Sequence, residues 1–151
     1  MRLVVQRVTR ASVREVDELL GEIGHGAVVL AGIGTADTPE VVERMADKLI
    51  GLRYFPDPDG RTNRSITDVD GSLLVISQFT LYADVRRGRR PGFTDAAQPA
   101  LAIPLMDRFI ECLRATVVPV ETGRFGAEMA VELINDGPFT LILDSFFDLA
   151  P

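Results

Sequence analysis

The alternation of apolar and polar residues predicts that the chain opens with strands. Residues 3–8 alternate with the two-residue period of a half-buried strand, and residues 12–16 and 19–23 repeat the pattern around a turn at 17–18. Residues 27–33 are apolar on both faces and end near glycine, which favours a central strand. The opening third of the chain is therefore expected to form a β-meander.

Two segments carry the three- and four-residue spacing of helices. The first is expected over about residues 39–52, because Thr38, Pro39 and the residues beside them resemble a helix start. Its apolar stripe consists of Val42, Met45, Leu49 and Leu52. A second stripe is formed by Met106, Phe109, Ile110 and Leu113. The start of this second helix is expected between residues 99 and 104, because Pro104 suits a first turn and disrupts a helix interior.

Strand character resumes at residues 72–80, 117–120, 130–134 and 139–144, with turn formers crowded into residues 55–60. Two principal helices and about seven strands, many joined by short connections, predict an α+β fold with a curved, mainly antiparallel sheet and helices on one face. At 151 residues and 46% hydrophobic content, we expect one domain spanning residues 1–151. The paired Phe146 and Phe147 suit either an oligomer interface or a sheet-edge anchor.

Charge and cysteine content restrict the partners. A net charge of -6 and a pI near 4.8 argue against the broad cationic face with which proteins bind nucleic acid chiefly through phosphates. The one cysteine, Cys112, cannot form an internal disulfide, which suggests a reducing compartment. No stretch approaches the roughly 20 apolar residues of a membrane helix. We expect a cytoplasmic protein without a membrane or DNA partner.

The sequence offers few side chains suited to catalysis or to metal binding. The one histidine, His25, lies between two glycines and suits a turn, and Cys112 lies on an apolar stripe, so a Ser-His-Asp or Cys-His triad is disfavoured. No ligands stand at the spacing of a zinc or calcium site, and acids such as Asp57 are interpreted as turn formers. Neither a metal nor another cofactor is expected.

Two backbone segments remain as candidates for function. Ser77-Gln78-Phe79-Thr80 follows a buried strand, where it forms either an ordinary strand end or an oxyanion hole built from backbone N–H groups. Asn135-Asp136-Gly137-Pro138-Phe139-Thr140 places a sharp Gly-Pro corner beside a strand, with carbonyl oxygens that are able to hold an ammonium group.

These two segments together closely resemble the paired signature of the D-aminoacyl-tRNA deacylases. Residues 6–13, Arg90-Pro91-Gly92-Phe93 and Thr122-Gly123-Arg124-Phe125 are also similar to that family, so the likeness spans nearly the whole chain. The resemblance implies a homodimer of barrel-like subunits with active sites at the subunit interface. It implies hydrolysis of the ester between a D-amino acid, or mischarged glycine, and the terminal adenosine of tRNA, without a cofactor.

The resemblance also implies the roles of the site residues. Gly137 and Pro138 would form a cis peptide bond that enters the partner's site, receives the α-ammonium group and rejects L-amino acids by shape. The catalytic segment would consist of Ser77, Gln78, Phe79 and Thr80, with the N–H groups of Phe79 and Thr80 facing the ester carbonyl. Thr80 as a nucleophile is the alternative, although no base stands ready to activate its hydroxyl. Arg7 would act from behind by bracing the glycine carbonyl.

Two other functions stay open at this point. The cluster of Arg86, Arg87, Arg89 and Arg90 suits a non-catalytic RNA-binding module, or simply a solvated loop. A small-molecule amino-ester hydrolase that does not use RNA is the other alternative. Cleavage of a free D-amino-acid ester as fast as the tRNA ester would favour it, since the adenosine contacts would then contribute nothing to the transition state.

Overall fold

A computed structural model describes residues 1–86 and 88–149. The strands are β1 (Arg2–Glu15), β2 (Glu18–Ile23), β3 (Gly26–Gly32), β4 (Arg53–Pro56), β5 (Thr62–Ser65), β6 (Ser72–Ser77), β7 (Val120–Thr122) and β8 (Ala130–Asp144). The α-helices are α1 (Pro39–Gly51), α2 (Pro99–Arg114) and α3 (Ser145–Asp148), and 3-10 turns span Thr67–Val69 and Phe79–Tyr82. No helix in the described part of the chain has the length and apolarity needed to cross a bilayer.

The long first strand organises the sheet. β2 and β3 lie antiparallel along one edge of β1 in a common register, as the pairs Ala11–Ile23 and Arg7–Ala27 illustrate. β8 runs antiparallel along the other edge, while β6 and β7 continue the sheet in parallel from β3. β7 curls back towards β2. Their closeness is seen at Gly21 of β2, where an added Cβ would lie 3.2 Å from the Cβ of Glu121 on β7. The result is a mixed, nearly closed barrel, which confirms the expected curved sheet within an α+β fold.

The two faces of the sheet bury separate apolar clusters. Alternate residues such as Leu3, Val5 and Val29 pack against α1 and α2, together with Phe55 and Phe109. The intervening residues form a smaller cluster on the opposite face: Val8, Ala11, Val13, Ile23, Val28, Leu74 and Ile76. The two principal helices therefore cover one face of the sheet, as expected, and the other face closes on itself.

Both long helices follow the sequence signals at their starts. α1 begins at Pro39, and the Thr38 hydroxyl caps it by accepting a hydrogen bond from the Val41 N–H at 3.4 Å. α2 begins at Pro99, the earliest start considered, and contains Pro104 in its interior. Pro104 is exposed, so water can hydrate the carbonyl group that its missing N–H leaves unpaired.

The expected β-meander is not formed, because β2 and β3 both pair with β1, and residues 3–8 and 12–15 belong to the one strand β1. Three further strand predictions were wrong in their bounds. The strand expected over 72–80 ends at Ser77, because its neighbour β3 ends at Gly32 and offers no further ladder. The strand expected over 117–120 begins only at Val120, since the Thr116 hydroxyl accepts from the Val118 N–H and closes a turn there. Residues 130–144 form one strand rather than two, because β1 pairs with it on both sides of the Gly-Pro corner.

Three short elements lay outside the sequence prediction. β4 and β5 form a hairpin whose register shifts twice, so its short strands carry little alternation. α3 spans Ser145–Asp148 and is capped by Asp144, whose carboxylate accepts from the Phe146 N–H at 3.0 Å. The acids of the β4–β5 turn act as turn formers as predicted, since the Asp57 carboxylate accepts from two backbone N–H groups.

The observed burial of α2 is tested by two leucines about one turn apart on this helix. Leu105 is 4% exposed and Leu101 is 38% exposed. We expect Leu105→Ala to lower the free energy of unfolding by about 2–5 kcal/mol through lost burial and a cavity. Leu101→Ala, the matched control, should change it by less than about 1 kcal/mol. Urea unfolding at one fixed protein concentration measures both, and equal losses would contradict the assigned core.

Candidate active site

The first candidate segment lies where β6 leaves the sheet. The Gln78 N–H donates to the Ala31 carbonyl at 2.8 Å, which is the last bond of the β3–β6 ladder. The chain then tightens into the 3-10 turn Phe79–Tyr82. The first N–H groups of such a turn have no partner inside it, so those of Phe79 and Thr80 can bind another acceptor.

The side chains of this segment are oriented by one another. The Gln78 Nε2 donates to the Thr80 Oγ1 at 2.5 Å, and both Phe79 and Thr80 are exposed. Among the described residues, no histidine or carboxylate forms a hydrogen bond with the Thr80 hydroxyl. The arrangement therefore provides polar groups at an exposed strand end without a base that would activate Thr80 as a nucleophile.

A cavity of about 270 Å³ adjoins this segment. Its walls are formed by Ile76, Ser77, Gln78 and Phe79 on one side and by Phe125, Gly126, Ala127, Met129 and Val131 on the other. A second cavity of about 330 Å³ lies towards α2 and shares Ser77 and Phe125 with the first. An aromatic ring, a thioether and strand-end polar groups thus surround a space of the size of a small planar ligand.

The second candidate segment is a bulge inside β8. Gln6 pairs with Thr140 and Arg10 pairs with Ile134, so β8 advances six residues while β1 advances four. The two extra residues are accommodated around the Gly137–Pro138 peptide bond, which is cis. Gly137 and Pro138 are both exposed on this protomer. The corner therefore projects from the barrel surface.

The Asn135 side chain closes the bulge from one side. Its Oδ1 accepts from the Phe139 N–H at 2.6 Å, while its Nδ2 donates to the Phe139 carbonyl and to the Thr140 Oγ1, each at 3.2 Å. The amide replaces the strand partner that the bulged residues have lost. The corner is thereby held as a loop of defined shape.

The Arg7 guanidinium holds the bulge from the barrel side. Arg7 is 9% exposed, and its Nε donates to the Asp136 carbonyl at 3.0 Å while its Nη1 donates to the Tyr54 carbonyl at 2.9 Å. Its guanidinium also lies 4.7 Å from the centre of the Phe139 ring. The sequence expectation that Arg7 braces the Gly137 carbonyl needs correction, because the carbonyl at the corner that it binds belongs to Asp136. Arg7 fixes the peptide that enters the corner.

Gly137 has a backbone conformation that requires glycine. Its φ is +149°, and a Cβ built there would lie 2.7 Å from the Phe139 N, 3.0 Å from the Phe139 Cβ and 3.3 Å from the Arg7 Nη2. L side chains rarely adopt this φ, and the nearest atom is backbone that cannot move aside cheaply. The tight space between Arg7 and Phe139 explains the glycine.

The two candidate segments lie at different levels of the same sheet. The corner is held at Arg7, which pairs with Ala27, whereas Ser77 pairs with Ala31. Four residues along β3 correspond to roughly 13 Å at the usual rise of a strand. One protomer therefore does not bring its own Gly-Pro corner to its own Phe79 and Thr80.

Other predicted features have ordinary structural roles. His25 is exposed in the bend between β2 and β3, where its ring meets Phe55 edge-on at 5.1 Å. Cys112 is a free thiol packed at the margin of the core. Residues 1–86 and 88–149 contain no cluster of three histidine, cysteine or acidic side chains suited to a metal ion.

The arginine cluster is only partly available. Arg86 forms two hydrogen bonds with the Asp84 carboxylate, at 2.8 and 2.7 Å, whereas Arg89 and Arg90 are exposed. Arg87 lies outside the described residues.

The sequence analysis missed two features of the site: the bracing of the corner by Asn135, and the contribution of Phe125 and Met129 to the cavity. The sequence held one signal for each: Asn135 lies two residues before Gly137, and Phe125 lies between Gly123 and Gly126.

Comparison with known proteins places the chain. The model of the D-Tyr-tRNA(Tyr) deacylase family matches residues 4–144. A D-aminoacyl-tRNA deacylase of Roseiflexus sp. (strain RS-1) is 56% identical over 96% of this chain and 94% of its own length. One of Thermotoga petrophila is 52% identical over 96% and 97%.

Solved structures agree on the architecture. A c-Myc DNA unwinding element binding protein superposes with a TM-score of 0.90 at 41% identity, covering 95% of this chain and 98% of that one. A probable eukaryotic D-amino acid tRNA deacylase, 19% identical, shares the fold with a TM-score of 0.81 over 94% and 97% of the two chains. Strand end, bulge and near full-length similarity together establish that this chain belongs to the D-Tyr-tRNA(Tyr) deacylase family.

Proposed function

We propose that this chain, as one domain over residues 1–151, hydrolyses the ester bond of D-aminoacyl-tRNA in the cytoplasm and releases the D-amino acid and tRNA. Family membership and relatives named as D-aminoacyl-tRNA deacylases support this activity. The observation that carries the detailed mechanism is the glycine-requiring, doubly braced corner exposed on β8. Glycine charged on tRNA is a further substrate, because it has no side chain to exclude.

The active protein is proposed to be a homodimer in which each site combines both chains. The corner and the Phe79–Thr80 segment lie at different levels of one protomer, so a second copy is needed to bring them together. The position of β8 supports this arrangement. β8 pairs with β1 along one edge, and its residue Ile142 is 74% exposed. A long exposed strand with apolar residues favours association with another copy.

The ester is proposed to be activated by backbone groups. The N–H groups of Phe79 and Thr80 would bind the ester carbonyl oxygen and stabilise the negative charge that forms on it during attack. An aminoacyl ester is already reactive, and a neighbouring ribose hydroxyl can assist, so positioning supplies much of the rate. The Gln78–Thr80 hydrogen bond would keep the turn in shape, and Ser77 would line the pocket beside it.

The terminal adenosine is proposed to occupy the cavity of about 270 Å³ beside this turn. Phe125 and Met129 offer an aromatic face and a polarisable sulfur, which suit a planar base. Ser77 and Gln78 offer hydrogen-bonding groups at the same wall. This placement would put the ester at the adjoining N–H groups of the turn.

Chirality is proposed to be read by the partner's Gly137 and Pro138. Their carbonyl oxygens would receive the α-ammonium group, so that a D side chain points outward and an L side chain meets the Gly-Pro backbone. A filter of this kind rejects by shape and needs no contact with the side chain that it accepts. Arg7 would support this filter from the barrel side by holding the Asp136 carbonyl.

Chiral selectivity is the first test. We expect kcat/KM for D-tyrosyl-tRNA to exceed that for L-tyrosyl-tRNA by at least about 100-fold. Gly137→Ala should lose most of the D activity, because the added Cβ displaces the corner. Gly51→Ala is the matched control, since a Cβ there meets nothing within 4 Å. Equal hydrolysis of the two stereoisomers by folded wild-type protein would reject the filter.

Backbone catalysis is tested by removing one N–H. Phe79 is the first residue of a 3-10 turn, a position that tolerates proline. Phe79→Pro should lower kcat by about 10²–10³-fold, the usual loss for one oxyanion donor. Phe79→Ala keeps the N–H, and Thr80→Ala removes only a hydroxyl, so each should change kcat less than about tenfold. Single-turnover deacylation separates these cases, and complete loss in Thr80→Ala would favour a nucleophilic threonine.

Sharing of the site between protomers is tested by mixing inactive variants. Gly137→Ala and Phe79→Pro each spoil both sites of a homodimer, but a mixed dimer retains one site with both segments intact. Random reassociation should therefore restore about a quarter of the wild-type activity. Sedimentation of each variant checks that it dimerises. Dimers that exchange subunits without recovering activity would place both segments in one chain.

A further inference from the structure

The loop between Asp84 and Gly92 is tied to the candidate site at both ends. It leaves directly from the 3-10 turn Phe79–Tyr82 and is closed by reciprocal backbone hydrogen bonds between Asp84 and Gly92, at 2.7 and 2.9 Å. The next residue, Phe93, packs edge-on against Phe79 with ring centres 5.0 Å apart. Both ends of the loop therefore have defined positions beside the proposed ester pocket.

Three arginines of this loop lie within the described residues, and they fall into two kinds. Arg86 is bound to the Asp84 carboxylate, and that pairing holds the pKa of the Asp84 carboxyl well below its ordinary value. Arg89 and Arg90 are exposed, and neither forms an ion pair within 4.0 Å of any carboxylate in the described part of the chain. Arg86 shapes the loop, and Arg89 and Arg90 are available to a ligand.

The position of these two charges suggests a phosphate ligand. The chain carries a net charge of -6, so two unneutralised guanidinium groups together form a local exception. Arg90 is three residues from Phe93, which limits their Cα separation to about 10 Å. Extended arginine side chains can thus reach groups just outside the pocket, and guanidinium groups suit phosphates in particular.

We propose that Arg89 and Arg90 bind backbone phosphates at the 3′ end of tRNA, next to the terminal adenosine, and thereby position the ester. This inference rests on the proposed deacylase function. Its ligand is the phosphate chain that distinguishes tRNA from a simple aminoacyl adenosine. Arg89 and Arg90 are positioning residues, because they act on the RNA and not on the reacting ester.

The experiment compares two substrates that share the ester and differ in phosphates. D-tyrosyl-tRNA and 3′-D-tyrosyl-adenosine are assayed with wild type and with the double variant Arg89→Gln/Arg90→Gln over a range of salt concentrations. For the tRNA, KM should rise about tenfold or more, with kcat unchanged within about twofold. The salt slope of log(kcat/KM) should flatten by about 0.7 for each arginine lost. For the adenosine ester, kcat/KM should stay at the wild-type value.

Control variants separate charge from structure. Arg89→Lys/Arg90→Lys should recover part of the tRNA KM, because lysine still contacts phosphate as a point charge. Arg44→Gln, on α1 and outside both cavities beside Ser77, should leave the KM and the salt slope unchanged. An equal loss on the adenosine ester would overturn the proposal, since it would indicate a disturbed Phe93–Phe79 contact. An unchanged salt slope would overturn it as well.

Binding of uncharged tRNA, followed by fluorescence anisotropy, keeps this inference separate from the deacylase proposal. The double glutamine variant should bind more weakly and with a flatter salt dependence than wild type. If wild type hydrolyses neither substrate, the proposed activity fails, while the anisotropy result still decides whether the two arginines contact RNA. Identical binding by wild type and the double variant would refute the contact.

Discussion

The candidate site depends on how one strand accommodates two residues too many. β8 must stay paired with β1 on both sides of the Gly137–Pro138 bond, and the excess length bulges outward between Ile134 and Thr140. Such a bulge would be mobile if its backbone groups were left to water. Here the Asn135 amide and the Arg7 guanidinium bind it from two directions, so the exposed corner has a rigid base.

Arg7 connects that corner to the core. It is a nearly buried charge whose hydrogen bonds go to two backbone carbonyls, those of Asp136 and Tyr54, and whose face lies on the Phe139 ring. Hydrogen bonds to charged groups contribute about 1.5–3 kcal/mol each, which offsets part of the cost of burial. Tyr54 lies in the main apolar cluster, so Arg7 links the corner directly to a residue of the core.

Sequence reasoning recovered the parts of this fold that rest on periodic burial. α1 and the central β3 follow from their apolar patterns, because α1 carries an apolar stripe at helical spacing and β3 is buried on both faces. It failed where tertiary partners decide. Nothing within residues 72–80 indicates that the ladder stops at Ser77, since that depends on the end of β3. Likewise, only pairing with β1 makes residues 130–144 one strand.

The candidate site shows the same division. The two segments were located from their own residues and from family resemblance. The hydrogen bonds that hold the Gly-Pro corner in place were not predicted. Arg7 was expected to contact glycine and instead binds the neighbouring carbonyl, a difference of one residue that no local pattern encodes. The availability of the arginines differs for a similar reason, because the Asp84 partner of Arg86 becomes visible only in the closed loop.

Pairing of the first long strand with the last also has a consequence for biosynthesis. β1 ends at Glu15 and its partner β8 begins at Ala130, so more than 100 residues emerge from the ribosome before that edge of β1 can be satisfied. Contacts of such long sequence separation form slowly and late. Since the projecting corner belongs to β8, the nascent barrel acquires it only after this separation has been synthesised, and a chain that stops before β8 lacks it.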